Sequence, residues 1–302
     1  MRKYIFITIC IIIFLTNVSN ILFSVKDACI LFFDKIFISI FPFMILSDIL
    51  FYYDYHIFIK NSFIGRFISK IFNIDYTCST VFIFSIFTSQ PNNSIYIKNM
   101  LDKKYIDVES ANRLLCFTYF PSLFFVIGTV GILLFNDIKI GILLYLNCLF
   151  NNVIIGMFLR KKIIISNNDF SENKDTLLNT IKNSIIKSFN NCYIILGNLI
   201  IFSVIINIFK NIFNLNGVLL CLFSAFFELT NSLYNISIID LDFHLKLFLS
   251  SFTLCFSGLS ILFQSFSILG DYNINIKKIL IIKLIFSLLS SITLLLVFPI
   301  LL

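Results

Sequence analysis

The sequence predicts an all-α membrane protein that crosses the bilayer several times. Of its 302 residues, 59% are hydrophobic and only 13% are charged, whereas a soluble domain carries about 25% charged residues. The mean hydropathy is +0.97, and apolar runs of about 20 residues, long enough to cross a bilayer as helices, recur along the chain. These observations exclude a soluble globular domain.

About seven full-length transmembrane spans are predicted. They are residues 4–23, 29–53, 114–135, 138–159, 190–209, 247–269 and 279–301. The first span follows Arg2 and Lys3 and resembles a signal peptide, but "TNVSN" offers no small-x-small cleavage site and apolar residues soon resume. We therefore predict a retained first span, with cleavage as the alternative.

Two further apolar segments, residues 76–98 and 217–238, carry polar clusters at their centres. The clusters are "SQPNNS" (89–94) and "ELTNS" (228–232). Non-helical backbone survives at membrane depth only where protein or a water-filled cavity satisfies its polar groups. The sequence therefore predicts two re-entrant hairpins.

Two amphipathic helices are predicted on the membrane surface. Between Tyr53 and Asp75, Lys60, Arg66 and Lys70 share the face opposite the apolar residues, as in helices that lie in the interface. A second such helix is predicted over residues 176–189 and leads into the span that begins near residue 190.

The basic residues predict the orientation. With both hairpins returning to the side they entered, 17 Lys or Arg lie on the N-terminal side and 5 on the other. Because cytoplasmic loops are enriched in Lys and Arg, the N-terminus is predicted to be cytoplasmic. The net charge of +7 is spread over these short loops, so nucleic-acid binding is not expected.

The same arrangement predicts an inverted repeat, an architecture common among secondary transporters. The predicted domains are an N-terminal span (1–28), a first gate-like repeat (29–160), a cytoplasmic loop with its amphipathic helix (161–189) and a second, inverted repeat (190–302). Weak internal similarity supports the repeat: "SIFTSQPNNS" aligns with "SAFFELTNSL".

Four motifs carry a resemblance to a known family. "FPFMILSDIL" (41–50) resembles FPF-x-I-x-SELL, and the segment around Pro91 followed by "DVESANRLLCFT" (107–118) resembles SGYP-x-GAK and ISxxEAERLLSFT. "FELTNSL" (227–233) resembles LEVTNGL, and "FSGLSILFQ" (256–264) resembles FGGLSVHAQ. In their order and spacing the chain resembles sporulation integral membrane proteins of the YlbJ type, from the nucleoside-recognition or gate superfamily.

The resemblance implies a divergent member. Ser89, Asn93 and Ile95 replace two glycines and the lysine of the first hairpin pattern, and Leu262 replaces a histidine. Membership implies a multi-pass membrane protein of a sporulating bacterium that is required for the spore cortex. The resemblance supplies no substrate.

Glu228 is the strongest single candidate site residue. An ionised carboxylate near the bilayer centre costs about 2.5–3.5 kcal/mol on insertion scales, so it requires a partner or a hydrated cavity. One interpretation is a proton- or cation-coupling site or a ligand contact. The other is a structural carboxylate that caps the backbone N–H groups of its own hairpin.

Further candidates surround the two predicted hairpin tips. They are Thr230, Asn231 and Ser232 in the second hairpin, Asn92, Asn93 and Ser94 in the first, and Ser260 and Gln264 on one face of the span 247–269. The hairpin residues could contact a polar solute or satisfy the hairpin backbone, whereas Ser260 and Gln264 could line a central cavity or join neighbouring helices. Pro91 is predicted to shape its hairpin, because it ends a helix, and Gly258 to permit close packing.

No catalytic residue, metal site or cofactor is predicted. The eight cysteines are scattered singly and interpreted as free thiols, and no catalytic triad or nucleotide-binding glycine loop occurs. The first functional hypothesis is a gradient-driven transporter of a small polar solute. The alternative is a non-transporting structural or assembly factor. Predicted partners are the lipid bilayer, a solute, and a second copy or sporulation membrane proteins.

Overall fold

The computed structural model is predominantly helical in the residues it describes. These are 14–38, 62–88, 90–102, 104–161 and 176–301, together with residues 4, 8, 41, 42, 44–46 and 49. The first part of the predicted span 4–23, the end of the span 29–53, the start of the amphipathic helix after Tyr53 and most of the loop 161–175 lie outside the described residues.

Thirteen helices of ten or more residues are described in these ranges, of which the sixth is wound as a π-helix; a π-helical turn, Phe32–Phe37, follows the first. In chain order they are α1 (Val18–Leu31), α2 (Phe63–Phe72), α3 (Tyr76–Thr88), α4 (Asn92–Asp102), α5 (Val108–Phe117), α6 (Phe125–Leu134), α7 (Ile138–Phe158), α8 (Leu177–Phe213), α9 (Gly217–Phe227), α10 (Leu229–Ile238), α11 (Phe243–Phe256), α12 (Gly258–Ile268) and α13 (Ile276–Leu301).

Four segments of the described chain are long and apolar enough to cross a membrane. They are Ile138–Phe158, Leu177–Phe213, Phe243–Ile268 and Ile276–Leu296. Shorter apolar helices occur within α3, α6 and α9. The prediction of an all-α membrane protein is therefore confirmed at this level.

The first helix differs from the prediction. Residues 24–28 were predicted to link two spans, but α1 runs through them and continues as the π-helical turn Phe32–Phe37. The segment contains neither Gly nor Pro to stop a helix. It packs along α8, where Asn207 Nδ2 donates to Ser24 Oγ. Tertiary packing thus makes α1 continuous.

Helix α8 joins two predicted elements. The amphipathic helix 176–189 and the span 190–209 form one helix of 37 residues, which is about 55 Å long at 1.5 Å per residue. This length exceeds the hydrocarbon core of about 30 Å, so part of α8 must extend beyond it. The helix ends at Asn214, whose left-handed backbone forms the C-terminal cap.

The two segments with polar centres each fold back on themselves. In the first, the rings of Phe84 in α3 and Tyr96 in α4 lie 6.0 Å apart, on opposite sides of the break at Pro91. In the second, Ser232 Oγ of α10 donates to the carbonyl of Cys221 in α9 at 3.3 Å. Below, α3–α4 is called the first helix pair and α9–α10 the second helix pair.

Two predicted spans are interrupted in the structure. The span 114–135 is divided into α5 and α6 by the non-helical residues 118–122. The span 247–269 is divided into α11 and α12 at Ser257, whose φ of 75° is left-handed. Pro121 lies in the first interruption and removes a backbone donor there.

Small polar side chains hold α7, α11 and α13 together. Asn147 Nδ2 donates to Ser251 Oγ and to Ser290 Oγ, both at 2.7 Å. Nearby, the sulfurs of Cys148 and Cys255 lie 3.5 Å apart. Hydroxyl and amide groups of this kind join helices in apolar surroundings, where the hydrophobic effect between helices is weak.

Ion pairs and hydrogen bonds tie the first helix pair to the loop after α12. Lys98 Nζ lies 2.5 Å from Asp271 Oδ2, and Tyr272 Oη donates to Asp102 Oδ1 at 2.5 Å. The hydrogen bond from Lys98 lowers the pKa of the Asp271 carboxyl below its ordinary value. The first helix pair is thereby fixed at its polar end.

The described part of the first amphipathic helix is α2. The Ser62 side chain caps its first turn by accepting from the Gly65 N–H at 3.1 Å. Phe63, Ile64 and Phe67 are exposed in the isolated chain. This apolar face suits a position in the membrane interface.

Helix α5 provides a test of the helical caps. The Asp107 carboxylate accepts from the Ser110 N–H at 2.8 Å, so Asp107→Ala should lower the free energy of unfolding by about 1 kcal/mol. Asp107→Asn, which keeps an acceptor, should lose less than half as much in thermal unfolding of the detergent-solubilised protein. Equal losses for the two variants would show that the cap does not stabilise α5.

Candidate functional site

Four interruptions of the helices meet in one place. The Gln90 N–H, between α3 and α4, donates to the Phe120 carbonyl between α5 and α6 at 3.2 Å. Gln90 Nε2 donates to Ser257 Oγ, between α11 and α12, at 3.1 Å. A Cβ added to Gly258 would lie 3.4 Å from the Cα of Glu228, between α9 and α10. The breaks therefore form hydrogen bonds with one another and pack closely together.

Gly258 is required where the last two breaks touch. Its φ is +71°, and an added Cβ would lie 3.2 Å from the Leu229 nitrogen and 3.3 Å from the Phe227 oxygen. Both the left-handed backbone and the close approach favour glycine. The close packing predicted for Gly258 thus involves the break of the second helix pair.

A cavity of about 70 Å³ lies at this junction. It is lined by Ile36, Gln90, Pro121, Ser122, Phe125, Ile195, Glu228, Leu229, Thr230, Ser260, Ile261 and Gln264. A water molecule needs about 10–15 Å³ of cavity volume, so the cavity has room for about five to seven such groups. Its lining combines apolar walls with a few polar side chains, which is typical of small-molecule sites.

Glu228 both caps a helix and lines the cavity. Its Oε2 accepts from the Asn231 N–H at 2.6 Å at the start of α10, and the side chain of Glu228 is buried, with 5% of the residue exposed. Among the described residues, no basic nitrogen lies within 4.0 Å of its carboxylate. The capping interpretation and the ligand-contact interpretation therefore apply to the same side chain.

The other candidates of the second helix pair divide between the cavity and the protein interior. Thr230 lines the cavity. The Asn231 side chain instead donates to Ser203 of α8. Ser232 is fully buried and bonds to Cys221 and to Thr253.

The candidates of the first helix pair do not line the cavity. Asn92, Asn93 and Ser94 are all buried, and Asn93 Nδ2 donates to Thr118 Oγ1 at 3.3 Å. These contacts tie α4 to the break after α5. Gln90, which the sequence analysis did not select, contributes the first pair's polar side chain to the cavity.

Ser260 and Gln264 of α12 line the cavity, and Gln264 also borders a larger groove of about 420 Å³. The groove lies between α4, α8 and α12, with Pro91, Asn191 and Asn198 among its lining residues. Gln264 therefore stands between the cavity and the groove.

Lys283 of α13 is a buried cation that the sequence analysis left without a role. The residue is 1% exposed, and its Nζ lies 3.5 Å from Ser257 Oγ and 4.4 Å from the centre of the Tyr119 ring. No carboxylate in the described part of the chain lies within 4.0 Å of this nitrogen. The available signal was a lysine inside an apolar span, which is a functional candidate by default.

The described residues contain no group of three His, Cys, Asp or Glu side chains placed to hold a metal ion. Seven cysteines are described and all are free thiols. The site is thus a set of amide, hydroxyl, carboxylate and ammonium groups.

Comparison with known proteins yields no match to a family model, a curated protein or a solved structure. The functional argument therefore depends on the geometry of the site.

The close contact at Gly258 can be tested by a substitution that adds a single methyl group. Gly258→Ala should lower the free energy of unfolding by at least about 1 kcal/mol, because its backbone is left-handed and its surroundings are close. The control is Gly197→Ala in α8, where an added Cβ meets nothing within 4 Å and helix propensity improves. Thermal unfolding followed with a thiol-reactive dye measures both. Equal midpoints would contradict the close approach.

Proposed function

We propose that the protein is a transporter- or permease-like protein that moves a small polar solute across a bacterial membrane, through the cavity between its two helix pairs. The observation that carries the proposal is the convergence of four helix breaks on a cavity that contains Glu228 and a few other polar side chains. Secondary transporters bind their substrates near the bilayer midplane, where discontinuous helices meet.

The proposed topology has about seven spans and two re-entrant hairpins in an inverted repeat. It is supported by the order of elements: a folded-back pair, an interrupted helix and a continuous helix occur twice, as α3–α7 and as α9–α13. The distribution of Lys and Arg supports a cytoplasmic N-terminus.

We further propose that the chain is a divergent member of the YlbJ-type sporulation family and acts in spore cortex formation. The support is the order and spacing of its motifs. Two of them, "FELTNSL" and "FSGLSILFQ", contain the residues of the contact between Glu228 and Gly258.

A non-transporting scaffold is the second candidate function. It is favoured by the small volume of the cavity and by the complete burial of Asn93 and Ser232 inside the protein. In such a scaffold the polar groups at the breaks would bind only one another.

Accessibility to thiol reagents separates the two functions. In a variant without native cysteines, single cysteines at Thr230 and Gln264, which line the cavity, should react with a membrane-impermeant reagent from at least one side. Single cysteines at Asn93 and Ser232 are matched controls and should stay unlabelled, because both residues are fully buried. If the cavity positions also stay unlabelled from both sides, the scaffold is favoured.

The role of the Glu228 charge can be tested separately from the helix cap that this side chain forms. Glu228→Gln keeps an oxygen for the Asn231 N–H, so the protein should accumulate normally while spores lose heat resistance. Glu228→Ala also removes the cap and should be less stable by about 1 kcal/mol. Normal spores with Glu228→Gln would mean that the carboxylate is structural only.

A further inference from the structure

Two buried charges of opposite sign flank the break between α11 and α12. Gly258 contacts the backbone of Glu228 on one side, and Ser257 contacts the Lys283 ammonium on the other. Within the described residues the two charges do not form an ion pair, since neither has an opposite charge within 4.0 Å. Buried charges without a partner are unfavourable, so a ligand that supplies both partners would be stabilised here.

The surroundings of Lys283 contain polar atoms without a hydrogen-bond partner. Within the described structure these include Gln90 Oε1 and Asn152 Oδ1. Both residues belong to the junction: Gln90 bonds to Ser257, and Asn152 Nδ2 donates to the Tyr119 carbonyl at 2.7 Å. Buried polar atoms are nearly always satisfied, so these orphans indicate a place for water or a ligand.

The start of α12 adds donors at the same place. The first N–H groups of a helix have no partner within it, and the Ser257 side chain does not cap α12. Ser260 and Ile261, in this first turn, line the cavity. A helix N-terminus binds carboxylates and phosphates through its free N–H groups and positive dipole, and the Lys283 ammonium beside Ser257 adds a full positive charge.

Glu228, Ser260 and Ile261 line the cavity, whereas Ser257 and Lys283 do not; the Lys283 ammonium reaches the start of α12 through Ser257. We propose that the solute is a small zwitterion whose anionic group binds in the cavity at the start of α12, where the Lys283 charge acts through Ser257, and whose cationic group binds against Glu228. This inference rests on the proposed transport function and names its substrate class. The cavity has room for about five to seven water-sized groups. A cavity of this volume fits only the smallest amino acids, and glycine is the simplest of them to use as a probe.

Three matched probes test the charge requirement. Purified full-length protein in detergent is unfolded by heat with glycine, sodium acetate or methylammonium chloride at equal ionic strength. A ligand that binds only the folded state raises the unfolding midpoint in proportion to its affinity. Glycine should raise the midpoint, and neither singly charged analogue should. An equal rise with acetate or with methylammonium would overturn the zwitterion assignment.

Two variants test the residues. Lys283→Gln and Glu228→Gln should each reduce the apparent affinity for glycine at least tenfold, each measured against the variant's own midpoint. Lys210→Gln, an exposed lysine at the end of α8, is the control and should leave the affinity unchanged. Wild-type affinity in Lys283→Gln would remove this residue from the site.

The experiments distinguish an error in the substrate class from an error in the transport function. If the cysteines at Thr230 and Gln264 are labelled but glycine has no effect, the zwitterion assignment is wrong and the hydrated cavity stands. If those cysteines are unreactive from both sides, the transport proposal itself fails.

Discussion

The fold depends on one constraint: backbone polar groups inside a bilayer must find partners within the protein. Four helices in the described part of the chain are interrupted, and contacts within and between the interruptions satisfy their polar groups. The Gln90 N–H bonds to the Phe120 carbonyl, the Glu228 carboxylate caps α10, and Asn152 donates to the Tyr119 carbonyl. The bond between Gln90 and Phe120 joins the first two breaks, and the bond between Gln90 and Ser257 joins the first to the last. The cavity lies where these breaks meet.

The sequence contained enough information to place the two helix pairs but not the other two breaks. A polar cluster inside an apolar run is a local signal, and "SQPNNS" and "ELTNS" each lie where a helix stops. The break at Ser257 has no comparable cluster: serine is common inside membrane helices, and the left-handed backbone of Ser257 has no local sequence signal. The continuity of α1 and α8 depends on packing, which the sequence pattern does not record.

The same distinction explains which site residues could be predicted. The sequence identifies polar residues near the helix breaks, but it does not show which way their side chains point. It therefore could not distinguish the cavity-lining Thr230 and Gln264 from the buried Asn93 and Ser232. The structure turns the first two toward the cavity and the last two toward other helices. Lys283 was visible as a charge inside an apolar span, yet its position against Ser257 depends on a tertiary contact that joins α13 to a distant break.

The break between α11 and α12 connects the two helix pairs mechanically. Ser257 accepts from Gln90 of the first break, while Gly258 lies against Glu228 of the second. If either pair moves as a rigid body, as alternating access requires, the bond between Gln90 and Ser257 or the contact at Gly258 must be lost. Loss of the bond between Gln90 and Ser257 would leave a buried polar group without its partner, which is unfavourable by about 1–3 kcal/mol. Under the proposed transport function, a solute with its own donors and acceptors would replace the lost partner, which would link motion to solute binding at this break.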